Sequence, residues 1–573
     1  MKKFLAILLA LALAVSLVLA GCGGTGQQEE EEEEEEEENF ITIAVCGPLT
    51  FIQGKDHVGG AELARDEINA AGGVNVGGTK YMIELVEVDT NEIVDTSGAT
   101  GTTGLTAVID DVDFVVGGFR TEAVTVYREV AMEAQKIFID DGAATNELQE
   151  SVLLDYDKYK YWFKGTPYNG TFLFVNMLKQ VVTIASAMKA ATGLTTVTAA
   201  VIVEDAEWTG GFKQKLAPYL GAYGLSVCAP VQYPASDATD LEAELTAIAT
   251  ACGGEPMITV IVLSGPPGKA YGAQQPTYLP HTFTAGINVE AQDINYHDDT
   301  GAMYHVLMDT WAEDVALTAT TVDWFDDYVA DTGRYPSYCA ATYDSIKALM
   351  LAVEDVGGFT SAYTDDIIAW LEDLDNAYTG TASTTGYYPM PELGPFPGEA
   401  PSYENPTGFT NEWYALSAAQ AYDIYGDGLV NYYVAAYPET ITSKADMQAN
   451  WDTGLRLMTG FASSAHLTSY LDNTGPCLPH DTIYGPGWQT GQGAQWQPDD
   501  PEDLAGDWSK VGWWPSVAIP YPGYDAPAAD LDATQAATLF AYKLLDKYGN
   551  WNFAYPGVVP LVIPQDWIDY WSA

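Results

Sequence analysis

The sequence predicts an α/β protein of two lobes, and three observations carry that expectation. Short β-rich runs alternate with amphipathic helical stretches, the rhythm of parallel sheets covered by helices. The rhythm runs through twice, with a second series opening near Thr166. The chain has 573 residues and 47% hydrophobic content, enough for two or more cores.

The first series opens with a buried strand in ITIAV, Ile41 to Val45. In GGAELARDEINAAGGV, Ala61, Ala64, Ile68 and Ala71 recur at helical spacing and Glu62, Arg65, Asp66 and Asn69 take the other face. Gly72 and Gly73 then stop the helix. Strands follow at YMIELVEV (81–88), DFVVGG (113–118) and KIFID (136–140), with a helix from about Thr121 to Ala134 between the last two. The second series reads as a helix around 173–189, strand TVTAAVIVE (196–204), a helix over 208–222 and strand SVCAPVQY. A helix over 241–251 and strand MITVIVL (257–263) complete it. Helical patterns return at 322–332, 340–356 and 364–374, after which Gly, Pro, Tyr and Trp dominate until a last pattern at 534–548.

The N-terminus is addressing. Lys2 and Lys3 precede an apolar run from Phe4 to Ala20, the layout of a secretory leader, although 17 residues also reach the lower end of a membrane anchor. Ten glutamates, Glu29 to Glu38, follow; they cannot bury apolar area and repel one another, so this stretch is expected to be an extended tether. The formal charge is −57; losing the two leader lysines and setting aside the ten glutamates leaves −49 on the body. Such a surface repels phosphates and anionic headgroups, which excludes nucleic acid as a direct partner. With Cys22 set apart, five cysteines remain and no CxxC occurs, so a zinc knuckle is unsupported; Cys228 and Cys252 flank one strand-helix unit and are candidates for a disulfide.

Several segments resemble the type I periplasmic solute-binding proteins, in the leucine/isoleucine/valine-binding branch that serves ABC importers. IAVCGPLT with GGAELARDEINAAGGV is similar to the family's first strand, pocket loop and helix. DFVVGGF, IDDGAATNEL, VIVEDAEWTGGF, YPASDATDLEAELTAI and YPSYCAATYDSIKALMLAVE follow in family order, and HDTIYGPGWQTGQGAQW resembles a closing segment. The resemblance implies two Rossmann-like lobes with a solute cleft between them and closure around the solute. Separately, Leu19-Ala20-Gly21-Cys22 resembles the lipobox of prokaryotic lipoproteins, which implies that Cys22 is lipid-modified and starts the mature chain. The implied domains are a leader over 1–21, a lipid-attached tether over 22–40, a first lobe from 41–165 and 298–377, and a second from 166–297, 378–394 and 479–515. An insertion over 395–478 and an extension over 516–573 have no family counterpart.

Open α/β sheets bind ligands at the carboxyl ends of their strands, which directs attention to the loops there. Thr121 in GGFRTEAV heads a helix, where a hydroxyl and free N–H groups hold a carboxylate; a capping threonine is the alternative. By resemblance Thr121 grips the solute carboxylate, Thr145 adds a second hydroxyl, Ala143 and Ala144 supply backbone and wall, and Trp208 packs on the solute from the second lobe. Gln53, Phe119, Tyr168 and Ser264 join them as weaker candidates. Arg120 is either a bidentate carboxylate partner or half of a surface ion pair. One departure matters: family members hold an ammonium with an acid after the strand matching MITVIVL, yet SGPPGKAYG has none, leaving Asp205 or Glu207 as substitutes. A solute that is a carboxylate or amide without an amino group follows from that gap.

Other chemistry lacks its parts. GPPGKA has the wrong glycine spacing for a phosphate loop, GxSxG and HExxH are absent, His297-Asp298-Asp299 is a weak metal candidate, and DIYGDGLVN (423–431) fails a calcium loop at its third and twelfth positions. The expectation is an extracytoplasmic, lipid-anchored protein without catalytic residues, cofactor or metal, which captures an amino acid, carboxylate or amide for ABC permease subunits. A sensory receptor module of the same fold and an extracellular enzyme are the rivals.

Overall fold

The computed structural model describes residues 39–166, 170–373, 376–381, 384–385, 387, 479–482, 492–501, 503–513 and 561–573. The leader, the tether as far as Glu38 with Cys22, Tyr168, the 395–478 insertion and the helical pattern at 534–548 lie outside the described residues, whereas Asn39 and Phe40 of the expected tether are already strand.

Six strands form the first sheet: β1 (Asn39–Gly47), β2 (Val74–Val76), β3 (Thr79–Asp89), β4 (Phe114–Gly117), β5 (Phe138–Asp140) and β6 (Trp162–Lys164), in the order β2-β3-β1-β4-β5-β6. β1, β4, β5 and β6 are parallel neighbours, while β2 and β3 form an antiparallel hairpin at one edge. The second sheet contains β7 (Val197–Val203), β8 (Leu225–Val227), β9 (Ile258–Leu263), β10 (Phe283–Asn288) and β11 (Val306–Asp309), all parallel. After the two-residue strands β12 (Tyr378–Thr379) and β13 (Thr384–Thr385), the chain adds β14 (Gln492–Pro498) antiparallel to β11 and β15 (Trp508–Trp513) antiparallel to β14, giving β15-β14-β11-β10-β9-β7-β8. The central strands are buried on both faces, as crossover connections covered by helices require.

The helices fall where the periodicity put them. Ile52–Ala70 ends before Gly72 and Gly73, both at positive φ, and Thr121–Glu133, Gly170–Thr192, Gly210–Ala222, Glu242–Cys252, Thr321–Thr332, Thr342–Val356 and Thr364–Glu372 match the remaining patterns. One sequence strand shortens: SVCAPVQY keeps only Leu225–Val227, and Cys228 beyond it is disulfide-bonded to Cys252. Cys46 and Cys339 are buried thiols.

The lobes exchange chain differently from the expected boundaries. Val306–Asp309 still belongs to the second sheet, so the return to the first lobe comes with helix Thr321–Thr332 rather than at 298. That helix docks on Ile52–Ala70, where Tyr328 Oη donates to Asp56 at 2.7 Å and Arg334 Nε at 3.1 Å. The segment at 378–387 belongs with the first lobe: Thr381 N donates to Asp344 of helix Thr342–Val356, and Tyr387 meets Phe163 edge to face. His480 likewise stacks on Phe163 and receives a backbone bond from Lys164, before β14 and β15 cross to the second sheet. Helix Gln565–Ser572 closes the second lobe, with Trp567 buried and Trp571 Nε1 donating to His281 O.

Candidate functional site

The carboxyl ends of β4 and β5 in the first lobe, and of β7, β9, β10 and β11 in the second, deliver loops to one cleft. Its walls are mostly apolar: Phe119, Leu173, Trp208, Ile287, Val289, Met308 and Tyr338. Polar groups at the cleft are Arg120, Ser264, Gln292, Asp309 and Thr310. A largely apolar cavity with a few convergent polar groups is the usual form of a small-molecule site.

The first lobe holds its loops with buried acids. Gly117 ends β4 at φ +99°, where a Cβ would stand 2.1 Å from Cys46 O, so only glycine lets the chain turn there against β1. Behind the turn, Glu92 accepts from Arg120 N at 2.7 Å, Phe119 N at 3.3 Å, Thr90 Oγ1 at 2.7 Å and Tyr127 Oη at 3.3 Å. Burial pushes its carboxyl up to about 7, against the pull of these donors. Asp140 does the same for the next loop, accepting from Gly142 N at 3.2 Å, Ala143 N at 3.0 Å and Lys164 Nζ at 3.1 Å; burial raises it to about 6. The backbone N–H groups of Phe119 and Arg120, just before the helix that Thr121 heads, are therefore committed to Glu92.

Arg120 crosses to the second lobe. Its Nη2 lies 2.7 Å from Glu204 Oε1, with both side chains fully buried. Glu204 Oε2 accepts from Ser264 N at 2.9 Å and Ser264 Oγ at 2.7 Å. Burial raises the Glu204 carboxyl, and Arg120 and Ser264 act against it. Arg120 Nη1 also lies 3.6 Å from Glu122 Oε1, so the buried guanidinium faces two carboxylates. At another point on the wall, Asp309 accepts from Thr310 N at 2.7 Å and pairs with Lys510 Nζ at 2.6 Å, a cation brought in by β15. Lys510 also donates to Gln292 O at 3.2 Å.

The expected residues distribute unevenly. Phe119, Arg120, Ala144, Trp208 and Ser264 line the cleft. Thr121 is the first residue of its helix and Thr145 caps Asn146–Leu154; neither makes a side-chain capping bond, and both hydroxyls are buried without a partner. Ala143 is buried just behind the wall. Gln53 sits inside helix Ile52–Ala70, not in a loop, and its Nε2 donates to Glu290 across the lobes at 2.8 Å, away from the cleft walls. Asp205 is a correction: its side chain is 63% exposed and pairs with Lys213, so it is no counter-ion for a solute. Arg120 is in an ion pair, but a buried one rather than one at the surface. His297 and Asp299 turn to Ala302 O and Lys269, and among the described residues no group of His, Cys, Asp and Glu is placed to hold a metal.

Sequence reasoning missed Glu204, Gln292, Asp309, Tyr338 and Lys510. For Glu204 a signal exists: it is the acid that terminates the apolar run of β7. Lys510 lies 201 residues from Asp309, and no local pattern links them.

The family description "Periplasmic binding protein" matches residues 41–389. Among solved structures, the branched-chain amino acid transporter substrate binding protein LivJ from Streptococcus pneumoniae, in complex with isoleucine, is 21% identical, with 61% of this chain and 92% of that one covered at TM-score 0.47. A solute binding protein of an ABC transporter from R. palustris, in complex with benzoate, is 15% identical over 61% and 89% at TM-score 0.48. The leucine binding protein LivK from Thermotoga maritima is 16% identical over 60% and 91% at TM-score 0.45. A comparison with curated proteins finds no match. The family match takes in the parallel strands of both sheets and the loops that carry Arg120 and Glu204, and the chain belongs to the periplasmic binding protein family.

Proposed function

We propose that the chain is the solute-capturing component of an ABC importer, binding a small solute with an apolar body and a polar head as its two lobes close. The observation that carries this reading is the cleft itself, with Phe119 and Arg120 from the first lobe and Trp208, Ser264 and Asp309 from the second around one largely apolar cavity. Closure gains free energy only from contacts made in the closed state, and contacts drawn from both lobes are of that kind. Phe119, Trp208 and Tyr338 would cover the solute body, while the unpartnered hydroxyls of Thr121 and Thr145 would meet its polar head.

Membership of the family implies an extracytoplasmic location, which the Cys228–Cys252 disulfide suits. Cys22 would carry a lipid, and the 18 residues from it to Phe40 would let the body reach at most about 60 Å from the membrane toward permease subunits. Intact mass of the membrane-released N-terminal peptide tests the anchor: a diacylated Cys22 is expected, an unmodified one contradicts it.

A thermal-shift screen over amino acids, short carboxylates, amides and ureas tests capture, because a ligand of the folded state raises its melting temperature. At least one class should raise it, with one-to-one stoichiometry by calorimetry. Turnover of a bound compound would instead favour an enzyme.

A further inference from the structure

A hydrogen bond within one lobe persists whether or not the lobes part, whereas a bond between lobes is lost on opening and favours the closed form alone. Two such bonds lie on one short segment. Val289–Gln292, a single 3-10 turn, follows β10 of the second lobe and reaches across to the first. Val289 packs with Ile93, Phe119 and Cys339, Glu290 Oε1 accepts from Gln53 Nε2 at 2.8 Å, and Gln292 Oε1 accepts from Tyr338 N at 3.3 Å.

Val289 and Gln292 also line the cleft, so their contacts overlap with those of a solute. Gln53 and Glu290 do not line it. Glu290 borders a separate groove of about 500 Å³ between the lobes, with Phe51, Lys55 and Arg334 on the first-lobe side and Gly265 and Lys269 on the second. The Gln53–Glu290 bond therefore joins the lobes outside the walls that a solute would meet.

The two ends of this bond are prepared differently. A backbone bond from Gly265 holds Glu290 to its own lobe, and the residue stays partly exposed at the groove, so its carboxylate keeps access to water when the lobes part. Gln53 is fully buried, and its Oε1 has no partner. Closing thus makes one hydrogen bond to a charged group and orphans one amide acceptor, a gain and a cost of similar size. A bond so nearly balanced holds the lobes together without locking them.

We propose that Gln53 and Glu290 are positioning residues that set how much of the solute-free protein is closed, and through that the affinity for any solute the cleft takes. Only the closed fraction presents both walls at once, so apparent affinity scales with that fraction. Weakening the pair lowers affinity by one common factor for every solute, whereas a residue in contact with the solute discriminates between solutes. This deepens the capture reading and rests on it for its purpose, but the lobe movement itself is read without solute.

The test is small-angle X-ray scattering of the solute-free protein at pH 8, on wild type, Gln53→Glu, and Gln53→Glu combined with Glu290→Gln, with folding of each verified by circular dichroism. In Gln53→Glu, closing must set two carboxylates against each other or take up a proton, and both oppose it. The combined variant exchanges donor and acceptor and keeps the bond. A larger radius of gyration in Gln53→Glu, with at least half of the increase reversed in the combined variant, is the expected result. A Gln53→Glu profile that matches wild type, or a combined variant no nearer to wild type than Gln53→Glu, would overturn the proposal. Should Gln53→Glu not fold, Gln53→Ala replaces it: a larger radius of gyration supports the pair as a latch, and an unchanged one overturns it. No solute enters the measurement, so its failure leaves solute capture standing, whereas a screen without any binder counts against capture and not against the latch.

Discussion

The two lobes bury acids at the same cleft and use them in opposite ways. In the first lobe Glu92 collects four donors and Asp140 three, mostly backbone N–H groups of the loops that form the wall. In the second lobe Glu204 is tied on one oxygen to Ser264, and the other faces Arg120 across the gap. Burial alone therefore does not distinguish an acid that holds a loop from one that faces the other lobe. The number of donors already on the carboxylate does: a saturated acid is fixed to its own lobe, and a half-satisfied one is left for chemistry between lobes.

That contrast breaks most visibly at Asp140. Asp140→Ala should leave Lys164 buried without its counter-ion and release Gly142 and Ala143, destabilising the solute-free protein by about 3–5 kcal/mol in denaturant unfolding. If it costs less than Glu204→Gln in the same assay, the division between loop-holding and lobe-facing acids fails. The second lobe has a different brace, the Cys228–Cys252 link across 24 residues of sequence. Replacing both cysteines by serine should lower stability by about 2–4 kcal/mol and leave solute specificity unchanged, since the link closes a loop outside the cleft walls.

The saturated acids also predict a pH dependence. Glu92 and Asp140 are raised to about 7 and about 6 from 4.5 and 3.8, so the folded state holds their protons more tightly than the unfolded chain does. Their contribution is full below the unfolded values and declines as pH rises through about 6 and then about 7. For Glu92 the full span is of the order of 3 kcal/mol. Denaturant midpoints should fall from pH 5 to pH 8, and Glu92→Gln should flatten that fall; a midpoint that rises with pH contradicts the sign. The smallest effect on stability belongs to Trp208→Ala. Its half-buried ring lines the cleft and contacts Phe212, so unfolding should shift by about 1 kcal/mol while affinity for a captured solute drops about tenfold.

Much of this architecture was legible because it rests on local patterns. Apolar runs such as ITIAV and MITVIVL are strands buried on both faces, and helix Thr342–Val356 announces itself by its periodicity. The same double burial hides the site: in a strand like β7 both faces are apolar, so alternation cannot tell that Glu204 turns inward and Asp205 outward. Helix Pro266–Tyr278 carries two leading prolines, a third at Pro276 and no clear apolar stripe, so a loop was read there. β10 contains Gly286 at φ +141°, closed over Ile261 O, which weakens its strand signal. The helix begins at Ile52, which puts Gln53 in its first turn and aims it toward Glu290 rather than the cleft. The pairs Arg120–Glu204 and Asp309–Lys510 are products of tertiary closure, and only folding brings them together.

The central claim is that the cleft captures a solute through Arg120 from one lobe and the groups facing it from the other. Calorimetric titration of the best solute from the thermal-shift screen into wild type and Arg120→Met, with folding of both verified by circular dichroism, tests it most directly. One-to-one binding in the wild type and its loss by about a hundredfold or more in Arg120→Met is the predicted result, equivalent to about 2.7 kcal/mol. Equal affinity in the two proteins would contradict the account.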